Sequence, residues 1–346
     1  MTEKQDIRLL AIEDLMLFFK KNNIASFRAK QVHEWLWKKR AVNFDEMTSL
    51  SVSVRHLLQE YFTINNVEIH KAEQSSDKTI KYSLKLHDNK LVEGVIIPSR
   101  KRLTACISSQ AGCSLACTFC ATGTLKLERN LNFSEIYDQV YILNEQAKLK
   151  FGKPLSNIVY MGMGEPLLNY ENLIKSIDLI TNDRGLGMSP KRITVSTAGI
   201  AKMIKKLADD KVKFNLALSL HTADNEKRNN IMPINESIDL TKLEEAIKYF
   251  YDKTGTRVTY EYILFDGVND NLEDANQLVN FCKKAPCKVN LIEYNQVDGF
   301  PFKKSSNKKT NNFIEYLEER NIIVNLRKSK GKDINAACGQ LVNKLK

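Results

Sequence analysis

The sequence predicts an α/β protein. Six or seven βα units form either a partial TIM-type barrel or a doubly wound sheet, entered through a small helical domain and a β-hairpin. Three observations carry this reading. Past residue 100, apolar runs of strand length alternate with stretches of helical period. Several of those runs are apolar at almost every position, as parallel strands covered on both faces are. Near residue 80 the apolar period switches from helical spacing to strict alternation.

The elements follow in order. Ile12, Leu15, Phe18 and Phe19 recur at helical spacing, as do Val32 and Leu36 and, less regularly, Trp35. Thr48 or Ser49 is expected to cap a third helix reaching Tyr61. In "TIKYSLKL", Ile80, Tyr82, Leu84 and Leu86 alternate with polar residues; "HDN" and "KLVEGVIIP" complete a hairpin. The expected domains are a helical accessory domain at 1–75, a hairpin connector at 76–100 and a main domain at 101–346. Main-domain strands are expected at "LTACISS", "NIVYMGM", "KRITVST", "FNLALSL", "VTYEYILF", "KVNLIEY" and "IIVNL". Helices are expected at 134–149, 170–181, 200–208, 240–251, 272–281 and 311–319.

Composition bounds the function. The 346 residues are 43% hydrophobic and 27% charged, ordinary for a globular chain with a sizeable core. No apolar run reaches the ~20 residues of a membrane span. The opening "MTEKQDIRLL" lacks the apolar stretch of a secretory signal, so a cytoplasmic location with reduced thiols is expected. The net charge of +11 favours a polyanionic partner. Residues 1–40 hold nine Lys/Arg against five Asp/Glu, with Phe27, Trp35 and Trp37 among them. That mixture suits phosphates and stacked bases, and equally suits an amphipathic helix that buries its tryptophans.

Both candidate architectures place ligands at the carboxyl ends of the strands. Unusual residues gather there. "CISSQAGCSLACTFCATG" follows the first main-domain strand and holds four of the seven cysteines. "GMGEP" follows the second; the third ends in Ser196-Thr197, the fourth in Ser219-Leu220-His221, and Asn295 follows the sixth. The spacing Cys113-x3-Cys117-x2-Cys120 puts three thiolates on one loop. A structural zinc site wants four ligands and would need Cys106 or a histidine. A [4Fe–4S] cluster held by three cysteines keeps one iron open to an outside ligand.

The CxxxCxxC loop after a first strand, in register with "GMGEP", resembles the radical S-adenosylmethionine superfamily. Further stretches run in order from about residue 25 to 342: "FRAKQVHEWLW", "FDEMTSLS", "EGVIIP", "RNL", "MGMGEPLLN", "STAGI", "LALSLH", "MPIN", "GVND", "VNLIEYN" and "DINAACGQL". Together they resemble the dual-specificity RNA adenosine C2-methyltransferases that act on 23S rRNA and tRNA. A sister group methylates C8 of the same rRNA adenosine; "GEPL" and "EGVIIP" fit the C2 group better.

The resemblance implies a partial (βα)6 barrel, an open-iron [4Fe–4S] cluster on Cys113, Cys117 and Cys120, and two S-adenosylmethionine molecules per turnover. It places Gly164, Glu165, Ser196, Ser219, Leu220, His221 and Asn295 against S-adenosylmethionine. C2 of adenine lies between two ring nitrogens and is too electron-poor to attack a methyl sulfonium, whereas a thiolate can. In the family's scheme Cys338 takes a methyl group, and a 5′-deoxyadenosyl radical removes one of its hydrogens. The methylene carbon adds to C2, Glu93 removes the C2 proton, and Cys106 resolves the tether through a disulfide with Cys338. The implied partners are 23S rRNA, tRNA and a cellular electron donor, with no membrane, and the chain is expected to be a monomer. A zinc-bound, non-catalytic RNA-binding protein is the competing class. Outside the motifs, Cys282 and Cys287 read as packed thiols, and His33, His56, His70 and His87 as structural or surface residues. Lys126 stands where the family often has glycine.

Overall fold

The computed structural model describes residues 4–183 and 185–342. Three helices open the chain: α1 (Ile12–Lys21), α2 (Arg28–Trp37) and α3 (Val52–Tyr61). The cap of α3 is Ser51, whose hydroxyl accepts from the Val54 amide, and not Thr48 or Ser49. An antiparallel trio follows: β1 (Glu68–Gln74), β2 (Ile80–Lys85) and β3 (Leu91–Pro98). β1 falls inside the stretch read as helical. It is largely exposed and lacks the apolar alternation that betrays a half-buried strand.

The main domain contributes seven parallel strands: β4 (Leu103–Cys106), β5 (Asn157–Tyr160), β6 (Ile193–Thr197), β7 (Asn215–Ser219), β8 (Val258–Leu264), β9 (Cys287–Glu293) and β10 (Val324–Arg327). Helices α4 (Phe133–Phe151), α5 (Tyr170–Thr181), α6 (Ala201–Asp209), α7 (Asn225–Ile231), α8 (Leu240–Thr254), α9 (Leu272–Cys282) and α10 (Asn307–Glu318) lie between them. All ten strands form one sheet whose spatial order is their sequence order. A doubly wound sheet reverses direction at a switch point. This one never does, so it winds as a barrel, and its two edge strands are not paired with each other.

The helices start and stop where local chemistry directs. Asn132 and Glu135 form a capping box at α4, and Asn271 and Asp274 another at α9. α4 and α8 end at Gly152 and Gly255 in the left-handed conformation. α7 escaped the sequence reading because its seven residues span barely two turns. No helix among the described residues is long and apolar enough to cross a membrane.

Buried charge docks the helical domain on the barrel. Asp138 of α4 receives Arg8 and Arg40 at 2.8 Å each and the Val67 amide at 3.2 Å. Alongside, Trp37 is buried edge-on against Tyr137, whose hydroxyl donates to the Trp37 carbonyl at 2.7 Å. Trp35 remains partly exposed, with its indole N–H on Ser49 and Lys39 3.8 Å from its ring. One tryptophan therefore serves packing and the other stays at the surface. Replacing Asp138 with alanine leaves the buried Arg40 guanidinium without its anion and Arg8 with Asp6 alone. We expect Asp138→Ala to destabilise the chain by ~3–5 kcal/mol, read from urea unfolding.

Candidate active site

The strand ends build a cavity. Cys113, Cys117 and Cys120 line it together with Gly164, Glu165, Ser196, Ser219, His221 and Cys338. Its space between protein atoms, counted to its open mouth, is about 890 Å³, which is the size of a small-molecule cleft. Leu220 and Asn295 do not line it. The Leu220 side chain is fully buried in the core because the polar edge alternates with the apolar one. Asn295 instead holds the Cys338 carbonyl through Nδ2 at 3.4 Å. Glu93 also lies outside the lining, on β3.

The cysteine loop is tightly folded. The Cys120 amide donates to the Cys117 carbonyl, and the Gly123 amide to the Cys120 carbonyl. A Cβ on Gly123 would stand 2.7 Å from the Cys117 carbonyl oxygen and 3.0 Å from its nitrogen. The loop is also tied outward: Thr118 to the Ile231 carbonyl, Ala121 to Gly339 at 2.7 Å, and the Thr122 hydroxyl to the Leu341 carbonyl at 2.6 Å. The last two contacts bring Cys338 from the end of the chain to the side of Cys120.

The donor set suits a cationic cluster. Burial pushes the Cys113 thiol up to about 11 and raises Cys117 and Cys120, and the Cys117 thiol is raised further by both of its loop neighbours. Such a trio ionises readily only against positive charge. Among the described residues, no three His, Cys, Asp or Glu side chains converge on a single-ion position. Cys106, the suggested fourth zinc ligand, does not line this cavity. As a donor set, three thiols on one short loop that line one open cavity suit a thiolate-held iron–sulfur cluster.

The glycine–glutamate turn opposite is equally constrained. Gly164 has φ +95°, and a Cβ there would stand 2.5 Å from the Gln110 side chain. Gln110 Oε1 accepts the Glu165 amide at 2.8 Å. The Glu165 carboxylate accepts the Leu167 amide at 3.0 Å and the Ala198 amide at 2.7 Å, tying the ends of β5 and β6 together. Burial still pushes its pKa up to about 7. His221 accepts the Ile263 amide at Nδ1 and lies edge-on to Phe119. Burial, then the Arg228 charge, pushes it down to about 3, so the ring is neutral. Ser196 and Ser219 hydroxyls stand 3.4 Å apart on adjacent strands.

Several residues of the site escaped sequence reading. Arg228 is completely buried and donates to the carbonyls of Ala198, Ser219 and Leu220 and to Asn235. Glu261 of β8 receives Arg327 at 2.9 Å and Asn290 at 2.8 Å, and its carbonyl accepts the Leu220 and His221 amides. A glutamate in the middle of the apolar run "VTYEYILF" was the available signal. Cys106, Met161, Arg327 and Cys338 line a second, smaller cavity beside the first. Cys338 borders both. Lys126 is exposed, and the Cys287 thiol rests 3.8 Å from the Cys282 carbonyl, remote from the cavity lining.

A profile described as the Radical SAM superfamily matches residues 107–281, and one described as a ribosomal RNA large subunit methyltransferase N-terminal domain matches residues 6–64. A probable dual-specificity RNA methyltransferase RlmN from Flavobacterium psychrophilum is 55% identical, covering 99% of both chains. Its counterpart from Salinibacter ruber is 42% identical over 99% of this chain and 95% of that one. The crystal structure of a radical SAM methyltransferase from Sphaerobacter thermophilus superposes with a TM-score of 0.90 at 35% identity, covering 97% of this chain and 99% of that one.

The loop geometry makes a prediction that concerns metal and not turnover. A Gly123→Ala substitution cannot keep the Cys117–Cys120 turn. Iron and sulfide bound per chain after anaerobic reconstitution should fall several-fold, with the far-ultraviolet circular dichroism unchanged.

Proposed function

The chain belongs to the radical S-adenosylmethionine RNA methyltransferases of the RlmN family, and on that premise we propose that it methylates C2 of an adenosine in 23S rRNA and of an adenosine in the tRNA anticodon loop. The observation that carries the reading is the position of Cys338. It shares one cavity with the three loop cysteines and the other with Cys106. A thiol that must first take a methyl group and later be released by another thiol needs both neighbours.

Cys113, Cys117 and Cys120 would hold a [4Fe–4S] cluster with one iron open. When bound, that cluster supplies the electron that cleaves S-adenosylmethionine reductively and so starts hydrogen abstraction from a methyl carbon. Gly164 and Glu165, with Ser196, Ser219 and the neutral His221, would bind and orient S-adenosylmethionine across the same cavity. Leu220 can take part only through its backbone, and Asn295 acts by holding the Cys338 carbonyl. Two S-adenosylmethionine molecules serve each turnover, one of them giving its methyl to Cys338.

The Cys338 thiolate attacks the methyl carbon; the new S–C bond replaces the sulfonium–carbon bond. Once that carbon is joined to C2, RNA and protein are tethered. Glu93 takes the C2 proton, and the odd electron brought by the added carbon leaves the adduct for the one-electron acceptor that the bound cluster would supply, so the tether is a closed-shell thioether. Burial pushes its pKa up to about 7, so a carboxylate here competes for protons at neutral pH. Cys106 then attacks the Cys338 sulfur. The S–C bond breaks toward carbon, which takes a proton, and a Cys106–Cys338 disulfide remains for reduction by a cellular thiol donor. Burial, then the Cys338 thiol, pushes Cys106 up to about 12, while the Met161 amide and Arg327 favour its thiolate. Arg327 thus faces the thiol that must ionise to resolve the tether.

The basic excess and the half-buried Trp35, whose ring Lys39 faces, fit an RNA-facing arm. Cys106→Ala should leave RNA covalently joined to Cys338, visible as a protein–RNA band on a denaturing gel. Cys338→Ala should drop methylation to background with iron content unchanged. Nucleoside mass spectrometry of the rRNA and tRNA products reads the site. Normal turnover by Cys106→Ala would sink the resolving role, and 8-methyladenosine in place of 2-methyladenosine would sink the C2 assignment.

A further inference from the structure

One face of the antiparallel extension carries a row of charge. Glu73 of β1 pairs with Lys81 of β2, Lys81 with Val95 of β3, and Val95 with Cys106 of β4. Glu93 stands two residues before Val95 and so shares its face. A Cβ on the intervening Gly94 would meet Leu143 of α4. The row therefore lies on the side of the sheet away from that helix, the side of the thiols. Lys81 Nζ reaches both acids, at 3.6 Å from Glu93 Oε1 and 3.3 Å from Glu73 Oε2. Side-chain exposure rises outward, from 6% for Glu93 to 10% for Lys81 and 38% for Glu73.

Glu93 is an expensive anion to keep. Its Oε2 has no hydrogen-bond partner among the described residues. A buried carboxylate left so takes up a proton unless a cation faces it. Lys81 is the cation at ion-pair distance among the described residues. The other groups that act on Glu93 are the Val342 amide, which favours the anion, and Glu73, which disfavours it. Glu73 is itself held by Lys71 at 3.3 Å as well as by Lys81, so its charge is shared outward.

We propose that Lys81 is a positioning residue for proton removal: it keeps Glu93 ionised between turnovers, and Glu73 anchors it from the solvent side. This rests on the reading of Glu93 as the base. When the C–H bond at the reacting carbon breaks, its electron pair stays with the ring and the proton passes to the carboxylate. Before the next turnover that proton leaves to water. An ordinary cross-strand ion pair would contribute stability of little consequence and nothing to the pH profile.

The test uses the full chain loaded with its cluster and compares Lys81→Met, Lys81→Gln, Lys81→Arg and Glu93→Gln. Single-turnover methylation is followed against pH. In both neutral variants the acid limb should move up by about 1–3 pH units, with activity recovered at alkaline pH. Lys81→Arg should restore the parental limb. Difference infrared spectra, assigned by Glu93→Gln, should show the Glu93 carboxylate band at neutral pH weakened in Lys81→Met and restored in Lys81→Arg. An unmoved limb and an unchanged band, with Glu93→Gln inactive, would overturn the role of Lys81 alone. Normal turnover by Glu93→Gln would overturn the base assignment beneath it.

Discussion

Two hydrogen bonds join the loop after Cys120 to the segment after Cys338: Ala121 to Gly339 and Thr122 to Leu341. The site depends on them. The main sheet is open, since its first and last strands do not pair, and a chain end that leaves β10 has no strand to continue into. It is caught instead from three directions. The cysteine loop holds it on one side. The β1–β2 turn holds it on another, where the Ser75 hydroxyl and Ser76 amide donate to Asp333 and the Gly331 amide donates to Asp77. Asn295 holds the Cys338 carbonyl from the end of β9. Nearly all of these partners are backbone groups or short side chains. They fix Cys338 in place at small entropic cost, because little rotamer freedom is lost.

The same clasp ties the antiparallel extension to the segment that carries Cys338, which makes it more than a connector. Its turn secures the segment carrying Cys338, and its third strand carries Glu93 and pairs with the strand of Cys106. Around the cavity, the barrel supplies charges that are individually costly and collectively satisfied. Arg228 spends its donors on strand-end carbonyls, Glu165 accepts two backbone amides, and Glu261 pairs with Arg327. Groups so fully occupied cannot swing, which is what a site needs when it must hold two reactants in register.

Much of this was legible in the sequence, for a physical reason. Barrel strands buried on both faces are apolar throughout, and residues that break the pattern at their carboxyl ends stand out. Cys113, Cys117, Cys120, Glu165, Ser196 and His221, which line one cavity, stand out in the sequence that way or by their motif register. Leu220 and Asn295 show the limit. A motif reports that a position matters but not whether its side chain, its carbonyl or its neighbour makes the contact. β1 was missed because an exposed edge strand has no apolar face to display, and Arg228 because a buried arginine on a short polar helix looks like solvated surface.

Arg327 shows why the remainder is not legible in the sequence. It ends the last, short strand, where nothing nearby in sequence marks it. Only the register of β9 with β10 and of β8 with β9 brings its guanidinium to Glu261. Only the return of the chain end then brings Cys338 to the same cavity, opposite Cys106. Its charge acts on groups separated from it by tens to hundreds of positions. Local motifs encode the holding of a cluster, which one short loop can do. The pairing of two thiols under one cation is a property of the closed fold. For that reason the cysteine outside the CxxxCxxC set cannot be understood from its distance to that set along the chain. What matters is which cavity it faces, and Cys106 faces Cys338.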